Sequence, residues 1–123
     1  MRPRVHFHSD CATFAGCENM LANFFGDARL MDECTVSFSY RATPAYTAGF
    51  RQRVGRSFDV RPLPLLDIGT VSEFAARLPA VAGVPMRAAA YVLLLRYWFM
   101  LWNTFSLWRT LGGRVDLLHV NNG

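Results

Sequence analysis

The stretch Arg4 to Phe25, RVHFHSDCATFAGCENMLANFF, decides the fold, because it reads as a strand, a small-residue turn and a helix start in immediate succession. Val5 to Ser9 carries β-branched and aromatic residues and reads as a short strand. The turn runs from Asp10 to Ala15. A helix begins near Gly16, with apolar residues at Met20, Leu21, Phe24, Phe25 and Ala28 in helical spacing. In open α/β sheets a ligand binds outside the carboxyl ends of the strands, where a helix N-terminus points free backbone N–H groups and a partial positive charge at it. Gly16 lets a ligand come close to the backbone there.

Working outward, the first helix ends between Gly26 and Met31, and Cys34 to Tyr40 alternates Val36, Phe38 and Tyr40 against Thr35, Ser37 and Ser39. That alternation predicts a second strand at a partly exposed position in the sheet. Pro44 breaks it, and a short basic helix follows from about Ala45 to Val54. Phe58 begins an edge strand that ends near Arg61, since Pro62 and Pro64 cannot donate to a ladder. Thr70 and Glu73 stand in capping-box spacing ahead of a short helix from Val71 to Leu78. Val115 to Val120 is an apolar run of the kind found in buried parallel strands.

Between them lies the longest apolar element, roughly Met86 to Leu111, which opens after Pro85 and stops at Gly112 and Gly113. On a wheel of ~100° per residue, Arg96, Asn103, Ser106 and Thr110 share one side, and Leu, Phe, Trp and Met fill a broad arc. Three readings stay open: a helix packed on the sheet, an interfacial helix whose Trp98, Trp102 and Trp108 meet lipid headgroups, and a true span.

Strands thus alternate with helices, which predicts an α/β fold: a partial, doubly wound parallel sheet of Rossmann-like type, with about four strands and flanking helices, one of them long and apolar. The 123 residues suffice for one such domain, and four strands are fewer than the usual six or seven. The net charge of +4 comes entirely from arginine, because no lysine is present. The thirteen arginines are spread from Arg2 to Arg114 rather than clustered among aromatic platforms, which argues against nucleic acid as a partner. The cysteines Cys11, Cys17 and Cys34 are odd in number and lack C-x-x-C spacing, so neither a disulfide framework nor a zinc site is indicated. Together with an N-terminus that turns polar before any long apolar run, they predict a cytoplasmic protein, peripheral to the inner face of the membrane if the long helix is interfacial.

Asp10, Thr13 and Gly16 lie at the ligand end of the first strand, where contact with an acceptor or phosphate competes with a local turn and cap role. Glu18 sits in the first helical turn and is favoured by the dipole in either case. Arg41 ends the second strand within reach of an anion, Tyr46 and Arg51 are weaker candidates, and His119 and Asn121 lie at the same end of the last strand. Cys17 is either a reactive thiol at a helix N-terminus or a small core residue. His6 and His8 share a strand face. Two imidazoles so placed can hold one metal, as in metal-dependent hydrolases with an H-x-H strand, but a site needs further ligands and only His119 is left to add. The competing reading is a pair of strand histidines satisfied by their neighbours.

The runs SDCATFAGCENML, SFSYRATPAYTAGFRQRV and VDLLHVNNG resemble the N-terminal domain of retaining GT-B glycosyltransferases of family four, over nearly the whole chain and in the same order. The most specific motif is the small-Gly-x-Glu turn after the first strand; Tyr-Arg-x-x-Pro-x-Tyr and the closing HVNNG support it. The resemblance implies the acceptor-side half of a cleft between two Rossmann-like domains, the other half binding a nucleotide sugar. It implies sugar transfer to a glycan or lipid-linked acceptor with retention, and no obligatory metal or other cofactor. Carried over by position, Ala15 and Gly16 stand for a Gly-Gly pair and Glu18 for a frequent Glu. Alanine for the first glycine narrows the backbone freedom of the loop. With Asp10, Thr13, Arg41, His119 and Asn121 they form the expected donor-phosphate and acceptor site. The family's second domain, with the glutamates that hold the donor, is not in this sequence, so the expected partner is that domain or a second chain supplying it, and the chain alone is expected not to turn over. The alternatives are a non-catalytic, membrane-associated partner subunit and the H-x-H metal hydrolase.

Overall fold

In the computed structural model, residues 1–66, 96–113 and 115–121 are described, apart from the side chain of Arg96. The expected helix from Val71 to Leu78 and the first ten residues of the expected long helix, 86–95, lie outside these. The chain divides into two compact units, residues 1–64 with 110–123, and residues 65–109.

The first unit is built on a parallel sheet. β1 spans Arg4–Ser9, α1 Glu18–Gly26, α2 Ala28–Glu33, β2 Thr35–Arg41, α3 Pro44–Arg53, β3 Asp59–Leu63 and β4 Leu117–Asn121. The four strands lie in the order β3-β2-β1-β4, all pairs parallel. The strands are laid down outward from β1 to β3, after which the chain returns to the other side of β1. That reversal makes the gap between β1 and β4 the topological switch point, where open α/β sheets bind ligands.

Alternation places Val5, Phe7 and Ser9 on one face of β1 and His6 and His8 on the other. The first face carries the core. Phe7 and Phe38 are register partners. Phe25 of α1 packs edge-on against Phe7 at 5.4 Å and tilted against Phe38 at 5.0 Å, and Phe50 of α3 stacks on Phe38 at 5.4 Å. Leu21, Phe25, Phe38 and Tyr46 are fully buried. Burying a large aromatic or leucine side chain stabilises by about 1.5–3 kcal/mol, so this cluster dominates the stability of the unit.

Several expectations change. The first helix is two: α1 ends at Gly26, and Asp27 then caps α2, its carboxylate accepting from the amides of Arg29 (2.8 Å) and Leu30 (3.4 Å). The break leaves Leu21 and Phe25 inside and Met20 and Phe24 exposed. β2 is an inner strand, between β3 and β1; its polar face is exposed at Thr35 and half-buried at Ser37, and the hydroxyls of Ser37 and Ser39 bond His6 and His8 of β1. β3 is the expected edge strand but runs through Pro62 to Leu63, which an edge position tolerates. β4 is not buried: it is the other edge, and Leu117, Leu118 and Val120 are exposed.

The described part of the expected long apolar helix is α4, Arg96–Leu111, 16 residues, all but the last two of them in the second unit. Among the described residues no helix is long and apolar enough to cross a membrane. Asn103 holds the backbone of Leu66 in both senses, its Oδ1 accepting from the amide at 3.0 Å and its Nδ2 donating to the carbonyl at 3.1 Å.

Candidate functional site

At the carboxyl end of the sheet, a single carboxylate oxygen ties three elements together. Glu18, the first residue of α1, is 2% exposed, and its Oε1 accepts from Ser9 Oγ (2.5 Å), Asn121 Nδ2 (3.0 Å) and Tyr46 Oη (3.3 Å). Ser9 ends β1, Asn121 ends β4 and Tyr46 lies in the first turn of α3. Burial pushes the Tyr46 phenol well above its ordinary range, so it acts as a donor. Three donors offset the cost of enclosing a carboxylate, at a position where the helix dipole also favours it.

The loop ahead of α1 is pinned on its other side by α3 and the end of β2. Arg41 Nε donates to Asp10 Oδ1 at 2.9 Å, and Arg41 Nη2 donates to the Asp10 carbonyl. The hydroxyl of Thr43, N-cap of α3, donates to the carbonyl of Ala12 at 2.7 Å while accepting from the amide of Tyr46 at 3.1 Å. Phe14 is buried edge-on against Tyr46 at 5.3 Å and Phe50 at 5.9 Å. Gly49 makes room for it: a Cβ there would stand 2.7 Å from Phe14 Cβ. What remains outside is a rim of Ala12, Thr13, Ala15, Gly16 and Cys17, all exposed. Gly16 has φ +27, and nothing stands within 4 Å of where its Cβ would be.

The expected set of free amides at the helix N-terminus is altered. The N–H groups of Glu18, Asn19 and Met20 are taken by the carbonyls of Ala15 (2.8 Å), Gly16 (3.1 Å) and Cys17 (3.2 Å). Such short-range bonds tighten the first turn. Amides offered to a ligand must therefore come from the loop itself.

Of the residues marked from sequence, Glu18 and Asn121 are joined directly and Asp10 and Arg41 form an ion pair. Thr13, Ala15 and Gly16 line the rim. His119 is apart from them, half-buried with its ring tilted on Phe7 at 5.4 Å. Ser9 and Thr43 join the site beyond the expected residues. Thr43 had a legible signal, a threonine immediately before a proline at a helix start. Ser9 had only its place at the end of the strand.

The other face of the sheet holds a second polar group. His6 Nδ1 bonds Ser37 Oγ at 2.7 Å, His6 Nε2 bonds Ser39 Oγ at 2.8 Å, and His8 Nδ1 bonds the same Ser39 Oγ at 2.8 Å. Both rings are buried. The Ser39 hydroxyl has one proton, so it donates to one ring and accepts from the N–H of the other, an arrangement satisfied with both imidazoles neutral. Burial first, then the neighbouring His8 and Arg61, lower the pKa of His6 to about 4; burial likewise lowers that of His8. The H-x-H pair is thus engaged by serines at three of its four ring nitrogens, and among the described residues no group of three or more His, Cys, Asp or Glu side chains is placed to hold a metal ion.

No protein-family model, no curated protein and no solved structure matches this chain.

Proposed function

We propose that this chain is the acceptor-side, N-terminal Rossmann-like domain of a retaining GT-B glycosyltransferase, acting with a donor-binding domain to transfer a sugar from a nucleotide sugar to a glycan or lipid-linked acceptor. The observation that carries this is the convergence of three motifs from separate parts of the sequence. The small-Gly-x-Glu turn supplies Glu18, Tyr-Arg-x-x-Pro-x-Tyr supplies Arg41 and Tyr46, and HVNNG supplies Asn121. Glu18 bonds Tyr46 and Asn121 at the switch point, and Arg41 holds the first residue of the loop beside them. Sequence motifs scattered over more than a hundred positions gain a common purpose if they shape one crevice mouth.

In this role Glu18, Arg41 and Thr43 position the loop, and the exposed backbone from Thr13 to Cys17 meets the acceptor and the donor phosphates. Fixed backbone dipoles and arginine supply positive potential toward a leaving diphosphate at no reorganisation cost during reaction. In this reading the chain supplies the acceptor-binding half of the cleft.

Saturation-transfer NMR of the purified chain against a panel of oligosaccharides and short-chain lipid-linked glycans tests this. Acceptor binding centred on the loop, and lost in Gly16→Leu, is the expected result. Gly16 is exposed with open space around it, so the added side chain fills the rim and meets no core atom, at the cost of the strain at φ +27, about 1 kcal/mol. Absence of any acceptor binding, or binding that Gly16→Leu leaves unchanged, overturns the assignment.

A further inference from the structure

α4 is amphipathic in the reverse of the usual sense. Its half-buried side carries Phe99, Asn103, Ser106, Leu107 and Thr110, and the polar members include the Asn103 that clasps the Leu66 backbone. Its exposed side carries Tyr97, Trp98, Leu101, Trp102, Phe105 and Trp108, with Trp98 at 66% and Trp108 at 65% exposure. A helix of a water-soluble domain turns its apolar stripe inward. Here the stripe faces out, and it is rich in the amphipathic rings that settle at the level of lipid headgroups.

Charge selects the occupant. From Phe74 to Val115 the sequence contains five arginines and neither Asp nor Glu. Arg109, exposed, stands on α4 itself. Two copies of such a segment would bring like charges together, which disfavours self-association. Arg109, exposed on α4, attracts an anionic surface while the aromatic rings bury in its headgroup region.

We infer that the outward aromatic face of α4 docks this protein on the surface of an anionic lipid bilayer. The helix lies in the interface plane: Tyr97, Trp98, Leu101, Phe105 and Trp108 enter the headgroup region, and Arg109 contacts lipid phosphate. The inference does not depend on sugar transfer, since it rests on the exposed face of α4 and the charge of the sequence around it.

The test is flotation of the full chain with vesicles of phosphatidylcholine, with and without about a third phosphatidylglycerol, alongside quenching of tryptophan emission by brominated lipid. The wild-type chain is expected to float with the anionic vesicles and to be quenched by shallow bromines. Trp98→Ser, Leu101→Ser and Trp108→Ser combined should weaken binding by about tenfold or more, as loss of the apolar anchor requires. Arg109→Glu should weaken it only on the anionic vesicles. Failure of the wild-type chain to float, or absence of quenching in floated protein, overturns the inference without reference to any variant. A dimer in sedimentation that the triple substitution dissociates, with vesicles ignored, would assign the face to a second copy instead.

Discussion

Asn121 Nδ2 lies 3.0 Å from Glu18 Oε1, joining the end of the last strand to the first residue of the first helix across 103 positions of sequence. The bond closes the switch point between β1 and β4, and the same oxygen receives Ser9 and Tyr46. Removing the acceptor leaves three donors at a buried site without a partner. Glu18→Ala should therefore cost about 3 kcal/mol, the scale of lost charge-assisted bonds and orphaned donors. Glu18→Gln, which keeps a carbonyl oxygen, should cost about 1 kcal/mol by the same accounting. Urea unfolding followed by circular dichroism measures both, and equal losses in the two variants would show that charge, not acceptor geometry, holds the site.

His6 sets an acid limit on the fold. Its pKa falls from 6.5 to about 4 on folding, chiefly through burial, with His8 and Arg61 adding to the shift and Asp59 opposing it. Below 6.5 the unfolded chain takes up a proton that the folded chain refuses. Stability is thus undiminished above pH 6.5 and declines as pH falls from 6.5 to about 4, then flattens for this group. The full shift corresponds to about 3 kcal/mol. His8 changes in the same direction. Denaturant midpoints measured between pH 8 and pH 4 should fall along that curve, and His6→Gln should remove much of the slope. A flat profile in the wild-type chain would refute it.

Where the sequence misled, the reason is tertiary. The strand-turn-helix reading of Arg4 to Phe25 and the parallel α/β order stand because local spacing and turn chemistry decide them. The hydroxyls of Ser37 and Ser39 looked like a solvent face because nothing in β2 itself shows that histidines at the matching register of β1 take them up. Leu117, Leu118 and Val120 looked like an interior strand because apolar content implies burial only where something covers it. The wheel of α4 separated a polar from an apolar side correctly, but periodicity does not say which side faces inward; Asn103 on Leu66 does. In the site, Glu18 and Asn121 were legible from position along the chain, while Ser9 and Thr43 act through bonds that only the assembled loop creates.

The loop before α1 should be sensitive to a single methyl group beneath it. A Cβ on Gly49 would stand 2.7 Å from Phe14 Cβ and 3.4 Å from the Phe14 carbonyl, neither of which is a flexible tip. Gly49→Ala should cost about 2 kcal/mol through overpacking. Gly16→Ala meets nothing within 4 Å and bears only the strain of φ +27, about 1 kcal/mol. Thermal melts of the two variants should separate in that order. The reverse order would place the strain in the turn rather than under Phe14.

Thr43 and Arg41 should control how often that loop opens. The Thr43 hydroxyl serves two partners at once, donating to the Ala12 carbonyl and accepting from the Tyr46 amide, so its loss uncaps α3 and frees the loop together. Uncapping alone is worth about 1 kcal/mol. Thr43→Ser retains both bonds and should behave as the parent, whereas Thr43→Ala should lose stability by that amount and expose residues 11–17 to a nonspecific protease. Arg41→Lys removes the fork that holds both the carboxylate and the carbonyl of Asp10, and a lysine's single point of charge does not replace it. Because the Arg41–Asp10 pair is partly open to solvent, its global stability effect should be under about 1 kcal/mol, while the local opening rate of the loop rises. Limited proteolysis under native conditions, read by mass spectrometry, distinguishes the two effects. Cleavage within residues 11–17 should quicken several-fold in Thr43→Ala and in Arg41→Lys, by the exponential dependence of open population on free energy, and stay at the parent rate in Thr43→Ser. Unchanged cleavage in all three would mean that Phe14 alone anchors the loop.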